Sequence, residues 1–290
     1  MIYQKKVDGF SWILDIEDGG IAIVLYSANT EGKNFNFARE KVFMDLLDKT
    51  IREGMTCIDL GANIGYSTMF MIRNVGLTGK VYAIEPDPHN IKYLNANLAQ
   101  NNFRDRCEIV RCVISDKDGL SDFWFSNKPN LNSINKTRHS VRKEIVDSMT
   151  LKTFCEERKY PNFIKMDIEG YETKVFESGL DYFDKNRGET HILLEVHPRE
   201  YNEKNDFAAI LREYTKIGFN INYMVSTPVS NPRPYSELGY TPIKEMISDG
   251  WVRSLYKDVG NEDGIKLATE LFDDISNGKV TRSMMVSRYV

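Results

Sequence analysis

The sequence predicts an α/β fold with a doubly wound, mostly parallel sheet. Short apolar runs of strand length alternate along the 290 residues with segments in which apolar residues recur every three or four positions. The clearest junction lies at 55–68, where a buried strand leads into a glycine turn and then a helix. Such alternation favours a parallel sheet with helices on both faces. One large α/β domain with additions is therefore expected.

Seven runs have the length and apolar content of strands in the main sheet. They are 57–60, 79–85, 107–115, 163–166, 191–196, 220–225 and 283–289. Helical spacing is found from 67 onward and at 35–51, 87–100, 151–158, 171–180, 206–218 and 262–277. Two further runs, 120–125 and 144–151, are expected to pair around the polar loop 126–140, which is either mobile surface or part of an acceptor gate.

Three parts are expected along the chain. Residues 1–54 are predicted to form a β-hairpin, with strands on either side of Asp18-Gly19-Gly20, and a helix, both packed on the core. The core itself is predicted at 55–225 plus 282–290. Between the last two strands, 226–281 is too long for a turn and rich in proline at its start. An inserted cap, helical at 242–251 and 262–277, is the simplest interpretation.

A ligand site is predicted at the glycine turn. Gly61 and Gly65 allow the backbone to turn tightly and to approach a ligand over the N-terminus of the following helix. Asp59 precedes the first glycine by two residues, unlike the dinucleotide fingerprint, and suits a cationic or amino-bearing ligand better than a pyrophosphate. The candidate contacts of this turn are Asp59, Gly61, Ala62, Asn63, Gly65, Tyr66 and Ser67.

The second predicted half of the ligand site is Glu85-Pro86, at the end of the next strand. Glu85 lies twenty residues after Gly65, where a carboxylate can accept both hydroxyls of a ribose. Taken alone, Glu85 could be an ordinary solvated acid at a strand end. Together with Asp59 and the glycines it indicates a nucleoside site.

Three motifs together resemble one family. They are Asp59-Leu-Gly-Ala-Asn-Ile-Gly65, Glu85-Pro86 and Phe163-Ile-Lys-Met-Asp167-Ile-Glu169-Gly170-Tyr-Glu172. The chain resembles the FkbM family of S-adenosylmethionine-dependent methyltransferases over roughly 37–197 plus a final strand, whereas 223–282 resembles nothing that can be named. The resemblance implies a Rossmann-like class I methyltransferase fold, seven-stranded with an antiparallel last strand. It also implies S-adenosylmethionine as cofactor and O-methylation of a small hydroxylated acceptor such as a sugar.

The resemblance also implies further cofactor contacts. Val113 and Ser115, at the end of the third strand, are expected to flank the adenine. Glu40, on the helix before the first strand, is expected to bring an acid near the cofactor.

Four ionisable residues end two adjacent predicted strands: Asp167, Glu169, Glu195 and His197. Methyl transfer to oxygen needs an aligned acceptor and removal of its proton, so this group is the candidate catalytic set. A divalent metal bound by Asp167, Glu195 and His197 is a second interpretation, not the favoured one. Glu169 could instead cap the next helix, Asp167 could bind the amino group of the cofactor, and His197 could be a turn histidine.

Composition restricts the choice of function. The net charge of −4, from 38 basic and 42 acidic residues, gives no reason to expect nucleic acid. The four cysteines lack zinc-like spacing, and no apolar run has the length of a membrane span or a signal peptide. A cytoplasmic enzyme is therefore expected, with no membrane partner. Methylation of a polymer and a non-catalytic nucleoside-binding module are the alternatives; the acceptor and the oligomeric state have no readable signal.

Overall fold

The structure, a computed structural model, describes residues 1–27, 41–127, 131–227, 229–248, 251–271 and 280–290. Its strands are β1 (Ile2–Val7), β2 (Phe10–Asp15), β3 (Thr56–Leu60), β4 (Lys80–Ile84), β5 (Cys107–Val110), β6 (Val113–Ser115), β7 (Gly119–Ser126), β8 (Ser140–Thr150), β9 (Phe163–Met166), β10 (Thr190–Glu195), β11 (Asn220–Ser226), β12 (Lys244–Ser248), β13 (Trp251–Lys257) and β14 (Thr281–Arg288). Its helices are α1 (Gly20–Ser27), α2 (Lys41–Thr50), α3 (Tyr66–Val75), α4 (Pro88–Gln100), α5 (Leu151–Glu156), α6 (Glu172–Lys185), α7 (Phe207–Lys216), α8 (Arg233–Glu237) and α9 (Asn261–Thr269).

The main sheet has the strand order β12-β13-β11-β14-β10-β9-β3-β4-β5. From β10 to β5 all neighbouring pairs are parallel, whereas β14 is antiparallel to both β10 and β11. The seven strands from β11 to β5 therefore reproduce the expected doubly wound sheet with an antiparallel last strand. Their order reverses at β3 and β9, which places a crevice at the carboxyl ends of these two strands.

Helices cover both faces of this sheet. On β9, Ile164 packs in the apolar cluster that contains Phe154 of α5 and Phe176 of α6. Its neighbour Phe163 packs in the opposite cluster, which contains Met69 of α3. Adjacent residues of a strand point to opposite faces of the sheet, and both faces are buried here. All residues of β9 are therefore apolar except Lys165.

Two strands in the described part of 226–281 extend the sheet, which corrects the helix expected at 242–251, whereas the helix expected at 262–277 overlaps α9. β12 and β13 form an antiparallel hairpin, and β13 pairs with β11. The segment 242–251, expected to be helical, is therefore largely strand. Pairing with β13 along residues 244–248 holds this segment in a strand at the edge of the sheet.

The N-terminal hairpin exists, but its turn lies elsewhere. β1 and β2 pair around Asp8-Gly9, whose φ angles of 53° and 82° fit a two-residue turn of type I′. The run 21–25, expected to be the second strand, lies in helix α1. The backbone N–H groups of Ser11 and Ile13 donate to the side chains of Asn101, which follows α4, and Asn97 of α4, so the hairpin is attached to the core.

The expected third strand is divided in two. β5 remains in the main sheet, whereas β6 leaves it and pairs with β8 in a three-stranded sheet of order β6-β8-β7. The predicted pairing of 120–125 with 144–151 is confirmed by the antiparallel register of β7 and β8. Among the described helices, none combines the length and the apolarity that a membrane crossing requires.

Candidate active site

A cavity of about 340 Å³ lies at the carboxyl ends of β3, β4, β9 and β10. It contains most of the residues that the sequence singles out. Those that line it are Gly61, Ala62, Asn63, Tyr66, Ser67, Glu85, Pro86, Val113, Asp167, Glu169, Glu195 and His197. Asp59, Gly65 and Ser115 do not line it, and Glu40 lies outside the described residues.

The glycine turn is held close to β9. Gly61 has a φ of +76°, and a Cβ atom on it would lie 2.3 Å from the carbonyl oxygen of Asp167. Gly65, with a φ of +98°, precedes α3, and a Cβ atom there would lie 2.6 Å from Leu94. Both positions therefore require glycine for steric reasons. Gly61 lines the cavity, whereas Gly65 does not line it and lies close to Leu94.

Asp59 is buried beneath the turn, which corrects its expected contact with the ligand. Its Oδ2 atom accepts a hydrogen bond of 2.6 Å from Thr68, and its Oδ1 atom lies 3.2 Å from Nζ of Lys165. Lys165 also donates to the carbonyl oxygens of Gly61 and Leu60. A buried carboxylate needs a cationic partner, and Lys165 of β9 is the partner of Asp59.

Sequence reasoning overlooked Lys165. It lines the cavity, is 4 % exposed and stands directly opposite Asp59 in the register of β3 and β9. The available signal was a lysine inside a strand predicted to be buried on both faces, because such a lysine needs a carboxylate partner.

Glu85 is a fixed, buried carboxylate at the cavity wall and not a solvated acid. Its two oxygens accept hydrogen bonds from the backbone N–H groups of Asn63, at 2.8 Å, and Asp87, at 2.9 Å. Burial raises the pKa of Glu85 to about 7, although these N–H groups partly offset the effect. Each oxygen has a second lone pair, so the carboxylate can also accept the two hydroxyls of a ribose.

Beyond β4, the cavity wall is apolar. Val113 lines it together with Cys112 and Ile114. An apolar wall of this kind suits the flat face of a purine ring. Ser115 is fully buried, and its hydroxyl donates to Asp116 at 3.0 Å. Contrary to expectation, Ser115 therefore does not line the cavity, although Val113 and Ile114 of the same strand do.

Asp167, Glu169 and His197 come together at the other end of the cavity. One potential ligand atom from each lies within 4.8 Å of the other two. Glu169 has a φ of 57°, an uncommon conformation for a residue that is not glycine. Burial and then the charge of Asp167 raise the pKa of Glu169 above its usual range. A carboxyl group with a raised pKa is suited to proton transfer near neutral pH.

His197 is held by a buried acid and is not an isolated turn histidine. Its Nδ1 atom lies 2.9 Å from Oε1 of Glu172, which is fully buried and also accepts from the backbone N–H of Gly170. The hydroxyl of Tyr201 donates to the same carboxylate at 3.4 Å. Burial lowers the pKa of His197, but Glu172 and other nearby carboxylates raise it more, so the net shift is upward. The raised pKa favours the imidazolium form of His197 at neutral pH, and an imidazolium is a poor proton acceptor.

Glu172 was overlooked as a site residue, although it belongs to the third sequence motif. It is the first residue of α6, where an acid is favourable to the helix dipole. Its burial beside a strand-end histidine depends on how α6 packs, which the motif alone does not show.

Glu195 has a partner of its own. It forms an ion pair with Arg282, the second residue of β14, and both side chains line the cavity. Among the described residues, the group with metal-like spacing is Asp167, Glu169 and His197. The candidate metal ligands are thus Asp167, Glu169 and His197, whereas the sequence predicts Asp167, Glu195 and His197.

The described part of the loop 126–140 forms another wall of the cavity, through residues 131–134. Asn132 accepts from the backbone N–H of Ser126 and donates to Asp87, each at 2.8 Å. Ser133 donates to the carbonyl oxygen of Glu169 at 3.5 Å. None of the described residues of 226–281 lines the cavity. Among the described residues, this side of the cavity is thus bounded by the loop and not by the inserted segment.

Comparison with known proteins identifies a family. The methyltransferase FkbM domain matches residues 59–221, more than half of the chain. A protein-L-isoaspartate O-methyltransferase of Methanothrix thermoacetophila is 36% identical over 61 residues, which are 21% of this chain and 28% of that protein.

Two solved structures are similar to this chain at low sequence identity. Methyltransferase FkbM from Methylobacillus flagellatus has a TM-score of 0.42 and 16% identity, covering 74% of this chain and 50% of that chain. The O-methyltransferase from Bacillus cereus, in complex with SAH, has a TM-score of 0.38 and 14% identity, covering 76% and 80%. The chain thus matches half of the first structure and less of the curated relative. Because the domain match spans the glycine turn, Glu85 and the Asp167 motif, this chain belongs to the FkbM family of S-adenosylmethionine-dependent methyltransferases.

Proposed function

We propose that this chain transfers the methyl group of S-adenosylmethionine to a hydroxyl of a sugar or another small hydroxylated acceptor. One observation carries the proposal: a single cavity joins the glycine turn and Glu85, at one end, to Asp167, Glu169 and His197 at the other. A methyl donor and a proton acceptor can therefore face the same acceptor oxygen.

The donor end fits an adenosyl group. Glu85 offers a carboxylate fixed by two backbone N–H groups for the ribose hydroxyls. Val113 and Pro86 offer apolar surface for the base, and Gly61 brings the backbone close without a side chain. When bound, S-adenosylmethionine supplies an electrophilic methyl group, and the residues of the chain only have to orient the acceptor and take its proton.

Proton removal is assigned to Glu169, assisted by Asp167. Glu169 lines the cavity, and its raised pKa lets it accept a proton near neutral pH. His197 is not the base in this proposal, because Glu172 holds it as a cation. Its Nε2 atom lies 3.8 Å from Glu169, close enough to stabilise the ionised carboxylate before it accepts the proton.

The alternative of metal-assisted transfer uses the same residues. Asp167, Glu169 and His197 offer two oxygen ligands and one nitrogen ligand. Binding an ion would require His197 to lose its proton, against the raised pKa that Glu172 and its neighbours impose. Base catalysis without a metal is therefore the proposed mechanism.

Two measurements test the proposal. Calorimetry should show binding of S-adenosylmethionine to the wild type and to Glu169→Gln. Transfer of a labelled methyl group should then be found for the wild type, and not for Glu169→Gln, with at least one of a panel of sugars, polyols and phenols. Parallel reactions should contain a polysaccharide, an unrelated protein or RNA.

The outcomes separate the classes of function. Transfer confined to a polymer would favour a polymer methyltransferase instead. Absence of cofactor binding by a folded wild type would favour a non-catalytic module and would overturn the proposal.

A further inference from the structure

We propose that the ion pair of Arg282 and Glu195 recognises the acceptor, and that it binds two vicinal hydroxyls of an uncharged sugar or polyol. This inference rests on the proposed function, because it names the class of acceptor for the same cavity.

The pair is built into the edge of the sheet where the acceptor would lie. Glu195 is the last residue of β10 and Arg282 the second residue of β14, and these strands pair with each other. The backbone N–H of Val196 donates to the carbonyl oxygen of Arg282 at 2.9 Å, which fixes the two chain segments together. The Arg282 side chain is 34% exposed and that of Glu195 is 14% exposed. The pair is thus partly desolvated yet open to a molecule in the cavity.

Arg282 lies outside the range of residues that the family model matches. The family match ends at residue 221, and among the described residues that line the cavity only Ile21 and Arg282 lie outside it. Groups required by a shared reaction are expected inside the matched region, whereas the acceptor is a property of the individual enzyme. Ile21 is apolar, so Arg282 is the one of these two that can donate hydrogen bonds to an acceptor.

The chemistry of the pair favours neutral hydroxyls. A guanidinium presents N–H donors in a plane, and a carboxylate beside it presents lone pairs. One hydroxyl can accept from Arg282 while its neighbour donates to Glu195, and no net charge is introduced. The cavity lining holds four carboxyl groups, of Glu85, Asp167, Glu169 and Glu195, against three basic groups, of Lys165, His197 and Arg282, so a neutral hydroxyl is favoured over a carboxylate or phosphate on the acceptor.

The experiment compares the wild type with Arg282→Gln and with the double variant Arg282→Gln/Glu195→Gln. Arg212→Gln is the matched control, because its ion pair with Glu262 is on the surface and neither residue lines the cavity. The probes are methyl hexopyranosides, their monodeoxy analogues and the corresponding uronates. Calorimetry measures the affinity for S-adenosylmethionine, saturation-transfer NMR measures probe binding to protein loaded with S-adenosylhomocysteine, and initial rates give KM and kcat.

We expect KM for a hexopyranoside to rise about tenfold or more in both variants, with kcat less affected, because charge-assisted hydrogen bonds are lost. In the wild type, removal of one vicinal hydroxyl should have a similar effect, and the uronates should bind more weakly. The variants should no longer distinguish the deoxy analogues. Cofactor affinity should be unchanged in all variants, and Arg212→Gln should match the wild type.

Three results would overturn this inference and leave the proposed function standing. The first is a wild-type KM in both variants, and the second is a preference for uronates. The third is methyl transfer by the wild type to acceptors without vicinal hydroxyls while no hexopyranoside binds. Weaker cofactor binding by Arg282→Gln would also overturn it, by assigning Arg282 to the cofactor. A wild type that does not bind S-adenosylmethionine would instead overturn the proposed function, and this inference with it.

Discussion

Nζ of Lys165 lies 3.2 Å from Oδ1 of Asp59, and both side chains are 5% exposed or less. The two residues are Cα partners in the register of β3 and β9 and point to the same face of the sheet. The ammonium also donates hydrogen bonds to the carbonyl oxygens of Gly61 and Leu60, so it combines one ion pair with two hydrogen bonds. Lys165 therefore connects β9 to the strand and turn that form the donor end of the cavity.

The first prediction concerns this pair. Lys165→Met should lower the free energy of unfolding by roughly 3–5 kcal/mol, because it leaves a buried carboxylate without its cation. The double variant Lys165→Met/Asp59→Asn should lose less, since the neutral amide that replaces the carboxylate needs no cation and can still accept from Thr68. Urea denaturation measures both. Lys174→Met, which removes a partly exposed ion pair with Glu177, should stay within about 1 kcal/mol of the wild type. A double variant no more stable than Lys165→Met would contradict this account.

The second prediction is a pH-dependent affinity for the cofactor. Burial raises the pKa of Glu85 from 4.5 to about 7, and the ionised form is the better acceptor for ribose hydroxyls. Affinity for S-adenosylmethionine should therefore increase as pH rises through 7. Glu85→Gln should weaken binding by on the order of 2 kcal/mol at high pH and remove most of the pH dependence.

Calorimetry at several pH values on either side of 7 measures this effect. Glu108→Gln, an exposed acid on β5, is the control. The unliganded wild type should also lose stability as pH rises from 4.5 to 7, because its folded state holds the proton of Glu85 more tightly than the unfolded chain does. Wild-type affinity in Glu85→Gln would rule out the assigned role.

The third prediction concerns the proton acceptor. Glu169→Gln preserves shape but cannot accept the proton, so single-turnover methyl transfer should slow by roughly a hundredfold or more with little change in cofactor affinity. Asp167→Asn should have a smaller effect on the rate if Asp167 mainly raises the pKa of Glu169. Glu200→Gln, an exposed acid near Gly170, should behave as the wild type. If Glu169→Gln keeps a near wild-type rate, the base lies elsewhere.

The fourth prediction concerns the charge of His197. In NMR titrations the His197 imidazole should remain protonated above neutral pH, and Glu172→Gln should bring its pKa back toward the ordinary 6.5, because the nearest carboxylate is removed. The stabilisation from this pair should be fully present below 6.5 and disappear as pH rises through the raised pKa. His197→Gln assigns the signal. Titration of wild-type His197 near 6.5 would refute the imidazolium and reopen its role as a base.

The fifth prediction is that chelators leave the reaction unaffected. A metal at Asp167, Glu169 and His197 would have to displace a tightly held proton from His197. Methyl transfer is measured after treatment with chelator and again after addition of divalent ions. Inactivation by chelator, rescue by added ion and loss of that rescue in Asp167→Asn would together establish a metal site instead.

The sequence identified the strands, turns and helices whose signals are local. The run from Cys57 to Ser67 predicted a strand, a glycine turn and a helix, and the structure has β3, the turn and α3 there. Phe163–Met166 coincides with β9. These predictions succeeded because apolar periodicity and the steric needs of glycine are properties of neighbouring residues.

Local signals were also misread. Asp8-Gly9 is a strong hairpin turn, yet the hairpin was placed at Asp18-Gly19-Gly20. The run 21–25 is short and wholly apolar, and such a run is compatible with either a strand or a helix. Packing decided in favour of helix α1, which buries Ala22 and Leu25.

By itself the sequence therefore determined the fold class, the family motifs and the edge of the sheet at which the cavity lies. Only the tertiary structure decided which charges meet: Lys165 with Asp59, Glu172 with His197, and Arg282 with Glu195. Each pair joins separate elements, so its formation depends on strand register and helix packing. Their charge states and roles depend in turn on burial, because desolvation and the nearest opposite charge set the pKa of each group. Neither of these can be read from the local order of residues along the chain.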